Sequence, residues 1–546
     1  MDFLNRLPIG IQDFEKLREE NCFFVDKTDL LYKLVHSGNG YFFCRPRYFG
    51  KTLLISMLDA YFRGRRDLFE GLAIESMEKE WNGCEVLRVD FSTGLYTEPG
   101  TIEAGIESIL SRLEGIYGKM EGTSTYGRRF ERLIQEAYKK SGKPVAVLVD
   151  DYDKPILDAT FTDIEIHNME VLREFYSALR GNDFYLKFVF VAGISKYASV
   201  NIFNGTDQLK DISTYPAFSN ICGFSEMDVH RLLATSKDLG RKGPARSPEE
   251  TVTGSGAALV DESQVFGLLD KWYGGYRFSD DGDMLFNPYS IMNCLDFNDA
   301  ENFASGDIRH QFWIQTGQPN MLVKMLRKKR YDLFNILYGV KVDREELMEY
   351  RWTENDLIPL IYQSGYLTRT CDDDGESVTL AMPNAEIVQG MVKCILSEIT
   401  NIGTISKSRS EIDQMKSLLA ARNVAGFLVR FEAALEGKGL VMSSDYEYHR
   451  NLAFHVIANL LGDDVSSDTN SDVMFSVEGS NGGRIGYVFQ LKTDKGLDLN
   501  EVKEDAFARI EERGFAGRFL ERGIPCVKVV IVFSSKNGRV AGWAAK

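Results

Sequence analysis

The sequence has few cysteines and histidines, and neither type is arranged as a metal site. The eight cysteines include no C-x-x-C pair, and the six histidines include no H-E-x-x-H motif. These absences exclude the common zinc sites of structural domains and metalloproteases. Scattered cysteines without a pairing pattern are typical of a reducing compartment, so we expect a cytoplasmic protein.

Long apolar runs and an excess of positive charge are also missing. No run of about eighteen apolar residues occurs, and residues 1–20 lack the basic and apolar regions of a signal peptide, so we expect no membrane association. The formal charge of -16 opposes general adhesion to nucleic acid, which depends on neutralising phosphates. It leaves room for a local basic groove, for which KMLRKKR at 324–330 is a candidate, although such a run is more often a solvated helix face.

The apolar patterns and the composition divide the chain into four segments. Apolar stretches of strand length alternate with helical patterns over residues 1–238, which predicts an α/β fold with a parallel sheet covered on both faces. Residues 239–263 are rich in Gly, Pro, Ser and charge and predict a flexible insertion or linker. Residues 264–405 are mostly helical by periodicity, as a lid or winged-helix-like region would be. Residues 406–546 follow the order helix, strand, strand, helix, strand and predict a separate small α/β domain.

The most informative stretch of the first segment is YFFCRPRYFGKT, residues 41–52. It ends like a phosphate-binding loop, G-x-x-x-x-G-K-[ST] (Walker A), but Arg45 stands where that pattern has its first glycine. Gly50 would let the backbone approach a phosphate, Lys51 would supply positive charge, and Thr52 could coordinate Mg²⁺, all at a helix N-terminus. A Gly-Lys-Thr between strand and helix also arises by chance, so this stretch alone leaves the nucleotide site open.

Two further strand ends favour the nucleotide site. VAVLVDD, residues 145–151, is an apolar strand that ends in two acids, the form of a Walker B motif. Asp150 would hold Mg²⁺ through water and Asp151 would polarise the attacking water; a buried strand that happens to end in an acidic turn is the alternative.

A third strand ends in AGIS, which places Ser195 where it could contact the γ-phosphate. Together these ends predict a P-loop nucleotide fold with ATP and Mg²⁺ at the carboxyl edge of a parallel sheet.

With these motifs, the sequence closely resembles AAA-ATPase-like proteins that carry a C-terminal PD-(D/E)XK nuclease-like domain. The matching stretches lie between about residues 7 and 370 and include RPRYFGKTLLISMLDAYF, VLVDDYDKPILD, GISKYASVNIFNGTDQLKDIS and WYGGYRFS. The resemblance implies that R-P-R-x-F-G-K-[ST] replaces the first glycine of the loop. It also carries Lys51, Thr52 and Asp150 over as nucleotide and metal ligands.

The two loop arginines have two open roles. Arg45 and Arg47 could add bidentate hydrogen bonds to the phosphates, or they could pair with nearby acids such as Asp26 or Asp153. Asp151 stands where a glutamate is usual. Because its side chain is one methylene shorter, we expect it to hold water less well and turnover to be slow.

The resemblance implies a nuclease-like site in the last segment. Such nucleases hold Mg²⁺ with an acid on one strand and an E-x-K on the next, and the corresponding positions here are Asp472, Gln490 and Lys492. Alternation along YVFQLK puts Gln490 and Lys492 on one face of a strand. However, glutamine offers a divalent cation no negative charge. The domain is therefore expected to be either a disarmed nuclease that binds nucleic acid or a partner, or an active Mg²⁺-dependent nuclease.

The whole sequence predicts an ATP-binding, ATP-hydrolysing AAA-like protein whose nucleotide state controls a nuclease-like domain that acts on or binds DNA or RNA. Two alternatives remain. One is a scaffold that binds nucleotide without hydrolysis and docks a protein partner, and the other is an active nuclease gated by ATP. A homo-oligomer is compatible with this class of protein but is not required.

Overall fold

The computed structural model describes most of the chain. The described residues are 6–119, 124–160, 162–196, 209–235, 261–298, 300–305, 308, 311–316, 322–323, 326, 331–344, 347, 357–373, 376–400, 405–436 and 446–546. Apart from 261–263 and Leu326, the predicted linker at 239–263 and the basic run at 324–330 lie outside these residues. No helix in the described ranges combines the length and the apolar character needed to cross a bilayer.

The strands and helices have the following bounds. The strands are β1 Gly40–Cys44, β2 Val86–Asp90, β3 Val145–Asp150, β4 Leu186–Gly193, β5 Lys210–Asp211, β6 Val340–Asp343, β7 Thr368–Asp373, β8 Ser377–Ala381, β9 Asp463–Ser466, β10 Asp472–Glu478, β11 Arg484–Thr493, β12 Cys526–Phe533 and β13 Val540–Ala545. The α-helices are α1 Phe14–Glu19, α2 Thr28–Ser37, α3 Lys51–Phe62, α4 Ala73–Met77, α5 Thr101–Tyr117, α6 Tyr126–Ser141, α7 Lys154–Leu157, α8 Ile164–Tyr176, α9 Glu226–Thr235, α10 Glu262–Tyr273, α11 Pro288–Phe297, α12 Ala300–Ser305, α13 Trp313–Thr316, α14 Leu333–Tyr338, α15 Ile358–Gln363, α16 Ala385–Ile399, α17 Ile405–Ala420, α18 Val424–Leu435, α19 Tyr446–Leu461, α20 Leu499–Glu512 and α21 Gly517–Leu520.

The chain forms two compact units. The first unit consists of Met1–Trp313 and Val342–Asn384, and the second unit consists of Ile314–Lys341 and Ala385–Lys546. The four segments predicted from the sequence, with boundaries at 238, 263 and 405, stay a prediction.

The first unit is built on a five-stranded parallel sheet with the strand order β2-β3-β4-β1-β5. β4 lies between β1, which leads into the candidate phosphate loop, and β3, which ends in the two acids. β3 is buried along its whole length, as expected for an apolar strand covered on both faces. The predicted α/β fold with a parallel sheet is therefore confirmed for this unit.

Helix α3 connects the sheet to the candidate loop. It begins at Lys51, directly after the loop that follows β1, and packs against β3. Its apolar side chains Leu54, Ile55 and Leu58 are buried in the core with Phe43 of β1. Burying this face fixes the position of the helix N-terminus at the carboxyl edge of the sheet.

The second unit contains a mixed five-stranded sheet with the order β13-β12-β11-β10-β9. β10 and β11 are antiparallel, β11 and β12 are parallel, and β12 and β13 are antiparallel. The parallel pair is joined by α20, because parallel strands need a crossover connection. Elements α19, β10, β11, α20 and β12 follow the order predicted for the last segment, with β9 and β13 added. This order alone does not identify a nuclease.

Candidate nucleotide-binding site

The loop between β1 and α3, residues 45–50, is open to solvent at Gly50, its last residue. Gly50 has φ +97°, a left-handed conformation that side chains rarely adopt. A Cβ atom built there would meet nothing within 4 Å. The backbone in front of the helix can therefore be approached closely by a ligand, as phosphate binding requires.

The side chain of Lys51, the first residue of α3, reaches back to this loop. This side chain is buried, and Nζ donates hydrogen bonds to the carbonyl oxygens of Arg45 (3.0 Å) and Pro46 (3.1 Å). These two carbonyl groups come from the loop that would surround a phosphate. The ammonium is thus held at the centre of the loop by partners that phosphate oxygens can replace.

Asp150 ends β3 with a carboxylate that is fully buried. Oδ1 accepts a hydrogen bond from the Asp151 amide (3.1 Å), and Oδ2 accepts none from any described residue. Burial, together with the charges of Asp151 and Asp90, raises the pKa of Asp150 to about 6, although Lys51 and the Thr52 hydroxyl act to lower it. The lysine, the threonine and the aspartate predicted from separate motifs therefore lie together.

These residues fit a magnesium ion carried by a nucleotide. Mg²⁺ prefers oxygen ligands, keeps several waters and takes few ligands from the protein. The free Oδ2 of Asp150 and the neighbouring hydroxyl of Thr52 are such oxygens. Thr52 would hold the ion directly and Asp150 would hold it through water.

The third strand end is tied to the second by hydrogen bonds. Asp153 is fully buried and accepts hydrogen bonds from the amides of Ile194 (3.0 Å) and Ser195 (2.6 Å) and from the Ser195 hydroxyl (3.0 Å). Burial raises the pKa of Asp153 to about 6, although the Ser195 amide lowers it. Ser195 is thus engaged with Asp153, and its contact with a γ-phosphate stays a prediction. Asp151, with φ +49°, is half-buried at the turn between them.

Arg45 takes neither of the roles expected from the sequence. Its guanidinium is buried and donates three hydrogen bonds to main-chain carbonyl groups, those of Cys44 (2.8 Å), Ser213 (2.6 Å) and Ser219 (2.9 Å). The rings of Phe43 and Phe278 lie 4.6 and 4.3 Å from its Cζ atom. Arg45 therefore braces the loop from within the protein, and contact with a phosphate would require breaking these bonds.

Arg47 differs from Arg45 in its surroundings. It is half-buried and makes no hydrogen bond or ion pair with any residue that the structure describes. The acids proposed as partners of the loop arginines are engaged elsewhere: Asp26 accepts from the Thr28 amide (2.9 Å) and the Ala73 amide (2.7 Å). Arg47 is consequently the loop arginine whose donors remain available to phosphate.

Lys27 supports the loop, a role that the sequence did not reveal. Its Nζ donates to the carbonyl groups of Asn220 (2.6 Å) and Gly223 (2.7 Å) and forms an ion pair with Asp228 (3.2 Å). The Gly223 amide in turn donates to the carbonyl group of Phe49 in the loop (3.0 Å). Lys27 thus fixes the backbone that holds the loop in place.

Two residues of β2 also reach this site. Asp90 ends β2 and is paired in register with Asp150 on β3. Arg88 approaches Asp150 with NH2 at 3.8 Å from Oδ2. The signal in the sequence was the stretch RVD at the end of the apolar segment CEVLRVDF, a further strand with polar residues at its carboxyl end.

In the second unit, Asp472 and Gln490 are directly paired across β10 and β11. Both are buried. The Asp472 carboxylate accepts from the amides of Asp468 (2.7 Å) and Thr469 (3.2 Å) at Oδ1 and from the Thr469 hydroxyl (2.5 Å) at Oδ2. Gln490 donates Nε2 to the carbonyl group of Ser471 (3.1 Å), while its Oε1 accepts no hydrogen bond from a described residue.

Lys492 turns towards helix α20. It forms an ion pair with Asp505 (3.7 Å), and burial together with Arg509 lowers its pKa. Both oxygens of Asp472 already accept hydrogen bonds from the turn before β10, and Gln490 adds no charge, so the pair as placed would attract a divalent cation only weakly. The described part of the chain contains no group of three or more His, Cys, Asp or Glu side chains that could hold a metal. A metal at Asp472 stays a prediction.

Comparison with known proteins finds a similarity in the first unit. Residues 8–203 match a family model described as predicted AAA-ATPase, so this part of the chain is similar to AAA-ATPase-like domains. A protein of Azotobacter chroococcum mcd 1, described as an uncharacterized protein in the vnfD 5' region, is 27% identical over 558 residues, which is 99% of each chain. The Orc1 protein of Aeropyrum pernix, solved in complex with DNA, is 10% identical and covers 70% of this chain and 96% of its own, with a TM-score of 0.29. A TM-score of 0.29 is too low to indicate a shared fold.

Proposed function

We propose that the first unit binds ATP with Mg²⁺ over the N-terminus of α3 and hydrolyses it. The observation that carries this proposal is Oδ2 of Asp150, which accepts no hydrogen bond from a described residue and is buried beside Thr52 and Lys51 at the edge of a parallel sheet. A buried carboxylate oxygen without a hydrogen-bond donor is costly, and Arg88 at 3.8 Å offsets its charge without donating to it, so a metal ion would complete it better. The AAA-ATPase-like match over residues 8–203 implies the same class of ligand.

The residues have separate tasks in this proposal. Lys51 would exchange its two carbonyl partners for phosphate oxygens, and Arg47 would add a second cation at the loop. Thr52 and Asp150 would hold the magnesium, which when bound neutralises charge on the β- and γ-phosphates. Asp151 would orient the attacking water. Ser195, held by Asp153, would keep the ends of β3 and β4 together.

The test compares nucleotide binding and phosphate release in variants of the full chain. Lys51→Ala and Asp150→Asn should each reduce phosphate release by on the order of 100-fold, the usual cost of removing one preorganised electrostatic group. Lys33→Ala is the matched control, because Lys33 is an exposed lysine of α2 whose partner is Asp29 (3.2 Å). Full release by Lys51→Ala would disprove the proposed site.

A non-hydrolysing scaffold is the second candidate. The observation that favours the scaffold is Asp151, whose side chain is one methylene shorter than the usual glutamate and would hold water less well. Asp151 lies at a turn with a left-handed conformation and is half-buried. Tight ATP binding by the wild-type protein, without phosphate release in the presence of Mg²⁺, would support the scaffold. Asp151→Glu would then be expected to start turnover, because the longer carboxylate reaches a water more readily.

For the second unit we infer a role in binding nucleic acid rather than in cutting it, under the control of the nucleotide state. The argument against cutting is the Asp472 carboxylate, whose two oxygens are already hydrogen-bonded, and nucleic acid as the ligand is what the nuclease-like resemblance of this unit implies. Labelled single- and double-stranded DNA and RNA should bind with an affinity that changes between ATP and ADP, and should stay intact with Mg²⁺. Cleavage that is lost in Asp472→Ala would favour the ATP-gated nuclease instead, and binding of neither polymer would favour a protein partner.

A further inference from the structure

Among the described residues, Arg88 forms an ion pair with Asp150 and with no other acid. It lies on β2, two residues before Asp90, and both side chains therefore point to the same face of the sheet. Its side chain is 25% exposed and donates no hydrogen bond to any described residue. Of the acids in the described residues, Asp150 lies nearest to Arg88. The distance from NH2 of Arg88 to Oδ2 of Asp150 is 3.8 Å.

The oxygen that Arg88 approaches is the one left free for a metal. Oδ2 of Asp150 accepts no hydrogen bond from the residues that the structure describes, and 3.8 Å is too long for one from Arg88. The contact is thus an electrostatic pairing with a gap between the two groups. Such a pair attracts without saturating the carboxylate, so an ion of higher charge can take the place of the arginine.

The other charges around Oδ2 of Asp150 are mostly negative. The carboxylates of Asp90 and Asp151 act on Asp150, and Lys51 opposes them from the loop. Arg88 is the second cation in this group. Without it three acids would face one lysine, and a free divalent cation would be attracted more strongly.

We propose that Arg88 is the counter-ion of Asp150 in the nucleotide-free protein and competes with Mg²⁺ for that carboxylate. This regulation rests on the proposed nucleotide site. It implies that free Mg²⁺ binds weakly and that the ion enters together with ATP, whose phosphates offer Arg88 another partner. Arg88 thereby sets the Mg²⁺ concentration at which nucleotide is bound.

The experiment titrates Mg²⁺ into the full chain at constant pH and ionic strength, with a fluorescent ATP analogue as reporter. Arg88→Gln and Arg88→Met remove the charge and should lower the Mg²⁺ midpoint about fivefold, equivalent to about 1 kcal/mol. Arg88→Lys keeps the charge and should stay near the wild type. Asp90→Asn removes a like charge and should shift the midpoint in the opposite direction. Electron paramagnetic resonance of Mn²⁺ without nucleotide should show tighter binding by the two neutral variants.

The outcomes separate this inference from the proposed function. Circular dichroism checks that each variant is folded, and two neutral side chains guard against one that fails to fold. Normal nucleotide binding with an unchanged Mg²⁺ midpoint and unchanged Mn²⁺ binding in both neutral variants would overturn the inference alone. No binding of the analogue by the wild type at any Mg²⁺ concentration would overturn both.

Discussion

Replacing the two loop arginines should have different consequences. Arg45→Ala should destabilise the first unit, whereas Arg47→Ala should leave its stability unchanged and weaken nucleotide binding. The reason is that Arg45 donates to three carbonyl groups and lies between two rings, while Arg47 has no hydrogen bond or ion pair among the described residues. The pair is a matched test because the residues have the same side chain, two positions apart.

The expected loss for Arg45 follows from its contacts. Each buried carbonyl left without its donor costs about 1–3 kcal/mol, and each ring contact contributes about 0.5–2 kcal/mol. The variant also no longer buries a charge, which offsets several kcal/mol of this loss. A net destabilisation on the order of 3 kcal/mol is therefore expected, because three buried carbonyl groups lose their donor while no buried charge is left behind.

Urea unfolding followed by circular dichroism and tryptophan fluorescence measures this loss, and a fluorescent ATP analogue measures binding. Arg45→Lys is an informative control, because lysine keeps the charge but cannot reach three carbonyl groups with a planar fork. Arg45→Ala with wild-type stability and weakened nucleotide binding would refute the reasoning. It would mean that Arg45 leaves its carbonyl partners and binds phosphate.

The part of the site that lies close together in sequence was predictable. Gly50, Lys51 and Thr52 follow an apolar strand and stand at the start of a helix, which is local information. Asp150 was predictable because it ends another apolar strand, and parallel strands bring their carboxyl ends to the same edge. The proximity of Lys51 to Asp150 follows from these two facts, and the structure has both.

The parts that depend on long-range packing were not predictable. The carbonyl partners of Arg45 at Ser213 and Ser219 are 168 and 174 residues away along the chain. No local pattern states that an arginine will be satisfied by distant backbone. Lys27 and Arg88 are similar cases, since their partners come from other elements. A charged residue in a strand or loop therefore indicated a possible functional site. Whether it binds a ligand or supports the backbone depends on distant residues that only the fold brings near it.

The second unit shows the same limit for a predicted metal site. The resemblance to PD-(D/E)XK nucleases placed Asp472 and Gln490 on neighbouring strands, and the structure has them opposite each other. The sequence did not reveal that the turn before β10 uses both oxygens of Asp472. A carboxylate at the right strand position is thus not enough, because its lone pairs must also be free.

Two further predictions concern this second unit. Gln490→Glu should destabilise it by about 1–3 kcal/mol, since a buried donor to Ser471 is replaced by a carboxylate beside Asp472; urea unfolding measures this loss, and wild-type stability of the variant would contradict the expectation. Burial lowers the pKa of His455 from 6.5 to about 3. Below pH 6.5 the unfolded chain therefore binds a proton that the folded chain rejects, so stability is complete above that pH and falls as the pH drops. The loss is about 1.4 kcal/mol per pH unit, or about 2 kcal/mol at pH 5. Urea unfolding at pH 7.5 and pH 5 should show this loss in the wild type but not in His455→Gln; an equal loss in both would show that other groups titrate instead.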